Sequence, residues 1–314
     1  MTSSGRFRLG QTEIEVSPMG LGTWAWGDRL VWGFGRGYGE PEVRAAYRAS
    51  RASGVDFFDT AEVYGQGRSE RILGRLVRDE GSPVFVATKF FPYPWRPYRG
   101  SLVRALRGSL KRLGVRSVDL YQIHWPFPPI PIETWMNGMA DAVELGLTRA
   151  VGVSNYSVRQ MERAHAALAR RGVPLASNQV EYSLLGREPE RSGVLQACRE
   201  LGVTLIAYSP LGMGLLTGKY GPGRPPPLTR RRRAAGLLHR LAPLLDVLRQ
   251  LGQAHGGKTP AQVALNWTMA KETLPIPGAK NERQAVENAG AVGWTLTPDQ
   301  VAQLDAASDA VYLR

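Results

Sequence analysis

The 314-residue sequence predicts an α/β fold of the (β/α)8, or TIM, barrel type. Three observations point there. Eight short apolar runs of strand length alternate with amphipathic helical patterns at fairly even spacing. The runs are continuously apolar rather than alternating, as strands covered on both faces require. No linker or shift of composition breaks the series, so a single domain over residues 1–314 is expected.

In chain order, FRLGQTEIEVSP reads as a small β-hairpin ahead of the barrel. The barrel strands are expected at Met19 to Trp24, Val55 to Thr60, Val84 to Phe90, Val118 to His124, Arg149 to Asn155, Ala176 to Tyr182, Thr204 to Pro210 and Thr273 to Ala279. Helical patterns separate them: PEVRAAYRASRASG, ERILGRLVRDEG, Ser101 to Gly114, ETWMNGMADAVELG, VRQMERAHAALARRG, GVLQACRELG and PAQVALNWTMAK, with ERQAVENAGA after the eighth strand. Two insertions interrupt this rhythm. Ala25 to Glu40 is rich in Gly and Trp, and Leu211 to Gly257 holds GPGRPPP, the run TRRRRAAG and one extra helix, LAPLLDVLRQLGQAH. A last helix, TPDQVAQLDAAS, is expected to pack across the outside of the barrel as an extra C-terminal element. The glycine-rich GFGRGYG at Gly33 to Gly39 lacks the glycine spacing of a dinucleotide fingerprint and does not run from a strand into a helix, so it reads as a loop above the barrel.

Bulk composition narrows the function classes. With 43% hydrophobic and 21% charged residues the chain is globular. MTSSGRFRLG has no apolar leader core and no later run nears the roughly 20 residues a bilayer needs, so a soluble cytoplasmic protein with no membrane partner is expected. A lone cysteine, Cys198, excludes internal disulfides and thiolate metal clusters, and its helical pattern makes it a buried structural thiol. The formal charge of +13 is mostly arginine on helical segments, read as solvated faces; without a recognised module it gives no case for nucleic acid. The oligomeric state is not readable.

In such a barrel the chemistry sits at the carboxyl ends of the strands, and here those ends are polar. The second ends in Asp59 with Tyr64 in its loop, the third in Lys89, the fourth in His124, the fifth in Ser154 and Asn155, the sixth in Asn178 and Gln179, the seventh in Tyr208 and Ser209. If Asp59, Tyr64, Lys89 and His124 converge, they form an acid for a developing alkoxide. A lysine ammonium beside the phenol draws its pKa down, Asp59 keeps that lysine charged and oriented, and a neutral His124 donates to a carbonyl oxygen. The set has no nucleophile, and one histidine without companions makes no zinc site, so no metal is expected. A hydride donor is the missing piece, and a nicotinamide supplies one. Ser69 is expected to cap the helix that follows Tyr64, with Gly65 and Gly67 permitting the turn between.

The strings DFFDTAEVYG, ATKF, VDLYQIHWP, AVGVSNYS, NQVEYSLL, AYSPLGMGLLTGKY and IPGAKNERQAVENAGA resemble the aldo-keto reductases, in order and at family spacing, across nearly the whole chain. The version with SPL before GLLTGKY is similar to the branch holding bacterial reductases, plant plastid reductases and potassium-channel β subunits. The resemblance implies a carbonyl reductase using NADP(H), with NAD(H) possible, and the catalytic tetrad Asp59, Tyr64, Lys89 and His124. It also implies that Ser154, Asn155 and Gln179 hold the carboxamide and that Tyr208 stacks on the nicotinamide, with Trp24 and Asp59 also on the cofactor side. Ser209, Pro210, Leu211 and Gly212, with Lys219 nearby, would follow the diphosphate, and Gly278, Lys280, Gln284, Glu287 and Asn288 the adenosine end. The helix start there favours phosphate.

Gly278 stands where many members carry a lysine. Recognition of a 2′-phosphate is therefore expected from Lys280 first and an arginine of Arg230 to Arg233 second, the latter run reading equally as a solvated loop. Among loop aromatics, Trp26, Trp95 and Trp125 are expected to wall the substrate bowl, suiting an apolar or aromatic aldehyde or ketone. The alternative from a different class is a regulatory subunit that senses the nicotinamide cofactor and turns over slowly.

Overall fold

The computed structural model describes residues 5–221, 223–227 and 237–312. The expected hairpin forms from β1 (Phe7–Arg8) and β2 (Glu15–Val16), antiparallel. The barrel follows with β3 (Leu21–Gly22), β4 (Phe57–Asp59), β5 (Phe85–Phe90), β6 (Val118–Ile123), β7 (Thr148–Ser154), β8 (Leu175–Glu181), β9 (Thr204–Tyr208) and β10 (Leu274–Pro275). All neighbours in this series pair in parallel, in chain order. The ring closes between its first and last strands, where Gly20 N donates to Pro275 O at 2.9 Å and Gly22 N to Pro277 O at 3.1 Å. Each strand lies inside its expected segment or within a residue of it, because a strand covered on both faces reads as a mostly apolar run.

Period-two alternation sorts each strand into a side chain facing the barrel axis and one facing the helices. The axis-facing residues Phe57, Phe85, Leu120, Ala150, Ala176, Ile206 and Leu274 pack with Leu9, Ile14 and Val16 of the hairpin, which plugs the amino end of the barrel. Farther up the axis the same strands turn polar, with Asp59, Lys89, Gln122, Ser177 and Gln179 all buried. Gly152 makes room for that layer, since a Cβ there would stand 2.2 Å from Ser177 Oγ. The opposite faces of the strands meet the surrounding helices in a second, larger core.

The helices carry apolar faces inward, as over Arg68–Glu80, where Ile72, Leu73 and Leu76 are buried. The extra helix of the long insertion forms over Ala242–Ala254, and the last helix, Pro298–Tyr312, runs longer than its sequence pattern. Trp267 Nε1 donates to Asp305 at 2.8 Å and Ser308 Oγ to Leu184 O at 2.6 Å, holding that helix across the barrel's outer surface. Arg230 to Arg233 lie outside the described residues. Among the described residues no helix is long and apolar enough to cross a membrane.

One local expectation fails. Gly67, with φ 78°, precedes the helix at Arg68–Glu80, and Ser69 does not cap it. Ser69 Oγ instead bonds Thr23 and Thr60, because the side chain points from the first turn into the seam between β3 and β4.

Candidate active site

The carboxyl ends of the strands open into one continuous cavity of about 670 Å3. Beneath it, Lys89 is fully buried and pairs with Asp59 Oδ1, thirty residues earlier, while donating to Thr60 O at 2.9 Å and to Tyr64 Oη at 3.3 Å. Asp59 therefore partners a distant lysine and caps no helix. Its second oxygen, Oδ2, accepts from Gln179 Nε2 at 2.9 Å and from Gln122 Nε2 at 3.3 Å. Gln122, absent from the sequence-based site, completes the support of the ion pair. The alternation of VDLYQIH carries the signal for it, since Gln122 shares the axis-facing side with Leu120 and lies two residues below His124.

Tyr64 reaches the mouth through the tight turn at Gly65 (φ 55°) and Gly67. Its ring stacks with Trp24 at 6.1 Å and meets the His124 ring edge-on at 5.7 Å. Burial raises the phenol above its ordinary pKa, and the Lys89 ammonium does not offset that. This reverses the sequence-based expectation of a lowered value, because depth in the barrel costs the phenolate more than one cation returns. Tyr64 consequently keeps its proton at neutral pH. For Lys89 the balance differs: burial disfavours the ammonium, but Asp59 and Tyr64 together hold it above the ordinary lysine value.

His124 is pushed well below its ordinary value by burial and then by Lys89, so it is neutral at pH 7. Its buried Nδ1 has no protein partner. Both shifts run outward from the reference values of 6.5 for histidine and 10.0 for tyrosine, so kcat/KM is expected to stay flat between those pH values. A break inside that window that disappears in His124→Gln would contradict the assignment. A depressed folded pKa also means that His124 contributes stability above pH 6.5 that is lost as the pH falls toward the folded value.

The polar strand ends of β7 to β9 interlock. Ser154 Oγ donates to Gln179 O at 2.8 Å, and Asn155, at φ 63°, donates from Nδ2 to His124 O at 3.1 Å and Ser154 Oγ at 3.0 Å. Tyr208 Oη donates to Asn155 Oδ1 at 3.1 Å, which fixes the face the ring shows to the cavity. Asn178 does not join them. One residue from Gln179, it points outward, donating to Tyr156 O at 3.0 Å and accepting from Tyr156 N at 3.4 Å.

Ser209, Pro210, Leu211 and Lys219 line the cavity beyond Tyr208. Gly212 does not, for its amide closes a turn onto Ser209 O at 2.8 Å; Met213 and Gly214 take the place expected of it. At the far end stand Gly278, Lys280, Gln284, Glu287 and Asn288, together with Arg283, which the sequence reading left out. Lys280 Nζ donates to Trp32 O at 3.0 Å and lies 4.8 Å from the Trp32 ring and 4.6 Å from the Tyr38 ring. It thus ties the glycine-rich loop to the start of the helix over Glu282–Ala289. Arg283 is 79% exposed and pairs loosely with Glu287 at 3.7 Å. Its helical position one turn before Glu287 gave only a local pairing signal.

Of the aromatics expected to wall the bowl, Trp125 lines it, as does the unpredicted Phe91. Trp26 is fully buried in the core, donating from Nε1 to Ala279 O at 2.8 Å. β3 ends at Gly22 and Trp26 N turns back to Thr23 O, so Trp24 and Trp26 no longer share a face. Trp95 stands outside the cavity wall, 72% exposed.

The model of the aldo/keto reductase family matches residues 18–309. The chain is 42% identical over 308 residues to the chloroplastic pyridoxal reductase of Arabidopsis thaliana, covering 94% of this chain and 84% of that protein. It superposes on an aldo-keto reductase of Klebsiella pneumoniae solved with NADPH at a TM-score of 0.76 and 29% identity, covering 96% of this chain and 94% of the other. The glycerol dehydrogenase of Gluconobacter oxydans gives a TM-score of 0.84 at 27% identity, with 98% and 95% covered.

Proposed function

Because the chain belongs to the aldo/keto reductase family, we propose that its carbonyl reduction uses Tyr64 as the proton donor and an aromatic aldehyde as substrate. The observation that carries this reading is the Lys89 ammonium, buried, paired to Asp59 and 3.3 Å from the Tyr64 hydroxyl beneath a cavity that His124 also faces.

NADP(H) fits the residues present. The cavity extends from Tyr64 and His124 to a helix start flanked by Lys280 and Arg283, and the Gln179 amide faces it beside Ser154 and Asn155. Those three residues would hold the carboxamide, Tyr208 the ring, Ser209 to Leu211 and Lys219 the diphosphate, and Gln284, Glu287 and Asn288 the adenosine. When bound, the reduced cofactor supplies the hydride.

The protein's own part follows from its geometry. Tyr64 holds a proton at Oη where the substrate oxygen would develop negative charge. Lys89 stabilises the phenolate left behind, and the Asp59 carboxylate, held by two glutamine amides, keeps that ammonium in place. Neutral His124 donates one ring N–H to the same oxygen and orients the carbonyl. Trp24, Phe91 and Trp125 exclude water and offer flat apolar walls to a ring. The reductase names of the relatives favour this enzyme over the regulatory subunit that the same residues would also serve.

The test is to follow NADPH absorbance with pyridoxal, methylglyoxal and 4-nitrobenzaldehyde. Aromatic aldehydes turning over with higher kcat/KM than methylglyoxal support the reading, and the reverse order sinks the aromatic assignment. For the adenosine end, Lys280→Ala is expected to reduce the preference for NADPH over NADH about tenfold, or ~1.4 kcal/mol. An unchanged ratio would leave Lys280 as only a latch on Trp32 and Tyr38.

A further inference from the structure

The loop that leaves β3 reaches Tyr64, and one acid inside it makes a bond that the loop itself does not need. Asp28 Oδ1 accepts from Val31 N at 2.7 Å and from Trp32 N at 3.1 Å, and the Asp28 carbonyl accepts from Phe34 N at 2.8 Å. Those three bonds close the turn, as an aspartate or an asparagine at such a place does. The second carboxyl oxygen is aimed elsewhere. Oδ2 accepts from Trp24 Nε1 at 3.2 Å, four residues back in the chain. Trp24 lines the cavity, and its ring stacks with that of Tyr64 at 6.1 Å with 27° between the planes.

The two loops approach as closely as backbone allows. A Cβ on Gly65 would stand 2.6 Å from Gly27 O, and one on Gly27, at φ 93°, would stand 2.7 Å from Arg68 Cβ, so the loop rests directly on the turn that carries Tyr64. Tyr38 Oη donates to Ala25 O at 2.6 Å and anchors the base of the loop. The Trp32 ring meets Trp24 edge-on at 5.6 Å, and Lys280 holds Trp32 in turn. Tyr64 depends on such support because its hydroxyl has one protein partner among the described residues, Lys89 at 3.3 Å, near the long limit for a hydrogen bond. A bond of that length orients a phenol poorly, and the flat face packed on the ring does it instead. A shift of about 1 Å opens the Lys89 contact, and a misplacement of that size at a reacting group costs up to about 10²-fold in rate.

We propose that Asp28 is a positioning residue for the proton transfer: by holding the Trp24 indole through Oδ2 it fixes the aromatic plate against which the Tyr64 ring stands. This role rests on the reading that Tyr64 gives the proton. Asp28 touches neither substrate nor cofactor in it, and acts through Trp24 alone.

The experiment is a double-mutant cycle of Asp28→Asn and Trp24→Phe, with kcat and KM for 4-nitrobenzaldehyde, NADPH affinity and melting temperature measured on all four proteins. Asparagine keeps one oxygen for the Val31 and Trp32 amides but turns an amide NH2 toward the indole N–H. Phenylalanine keeps an aromatic face for Tyr64 and has no N–H to hold. Asp28→Asn is expected to lower kcat about tenfold with KM and NADPH affinity within about twofold, and to cost less than about twofold when added to Trp24→Phe. An equal loss in both backgrounds overturns the proposal, because Asp28 would then act through the turn and not through Trp24. The cycle reads the same way if asparagine lowers the melting temperature, since loss of the turn would carry over to the phenylalanine background. Wild-type kcat in Asp28→Asn, or a loss confined to KM, also overturns it. Tyr64→Phe run beside the cycle separates the two readings. Full activity there, or a wild type that reduces no aldehyde, removes Tyr64 as the donor and this role with it, whereas an inactive Tyr64→Phe beside an unaffected Asp28→Asn removes the role of Asp28 alone.

Discussion

Tyr64→Phe is expected to lower turnover by about 10³-fold or more while NADPH affinity stays within about twofold. The variant removes one oxygen and little else. The phenylalanine ring retains the stacking with Trp24 and the edge contact with His124, so the mouth keeps its shape. What is lost is the only protonated hydroxyl within hydrogen-bonding reach of Lys89 among the described residues. His124 is a poor substitute, since burial and Lys89 keep it neutral and its N–H is a far weaker acid than an imidazolium. Cofactor titration by fluorescence beside steady-state NADPH oxidation separates the two effects. A variant with full activity would show that the proton comes from elsewhere.

Lys89→Met is expected to damage both chemistry and fold. Removing the ammonium leaves the Asp59 carboxylate buried with, among the described residues, only Gln122 and Gln179 as side-chain partners, and breaking a buried pair from one side costs about 3–5 kcal/mol. Turnover should fall by about 10²-fold or more, because the phenolate left after proton transfer loses its counter-charge. Adding Asp59→Asn removes the stranded charge, so the double variant should recover much of the melting temperature and none of the activity. If both properties return together, the pair serves the fold alone. If neither returns, the cost lies in packing.

The raised pKa of Lys89 fixes the sign of its own pH dependence. Its contribution to stability is intact below the ordinary lysine value and is lost as the pH rises through the folded one. Neutral conditions therefore leave the Lys89 ammonium charged.

Much of this molecule is legible along the chain because the barrel repeats one simple rule. A strand enclosed on both sides is mostly apolar, and the polar residue near the end of the run stands toward the carboxyl end of the barrel, where Asp59 and His124 line the cavity and Lys89 lies beneath it. Legibility fails where chain position no longer implies direction. Trp26 follows the end of a strand by four residues and a single turn sends it into the core. Asn178 and Gln179 are adjacent and equally polar, yet the pleat points only one of them at the site. Gly212 belongs to a familiar string, but its amide is consumed by the turn that the string makes.

The sequence by itself determined the order of the strands, the position of Asp59, Lys89 and His124 at or beside strand ends with Tyr64 in the following loop, and the helix start near Lys280, because each depends on local pattern or on spacing within one motif. Only the tertiary structure decided that Gln122 supports Asp59, that Lys280 is held between Trp32 and Tyr38, that Phe91 rather than Trp95 walls the cavity, and that the Tyr64 phenol is raised instead of lowered. Those outcomes depend on distances between residues far apart in the chain and on the balance between desolvation and charge at depth. Neither quantity exists until the barrel has closed.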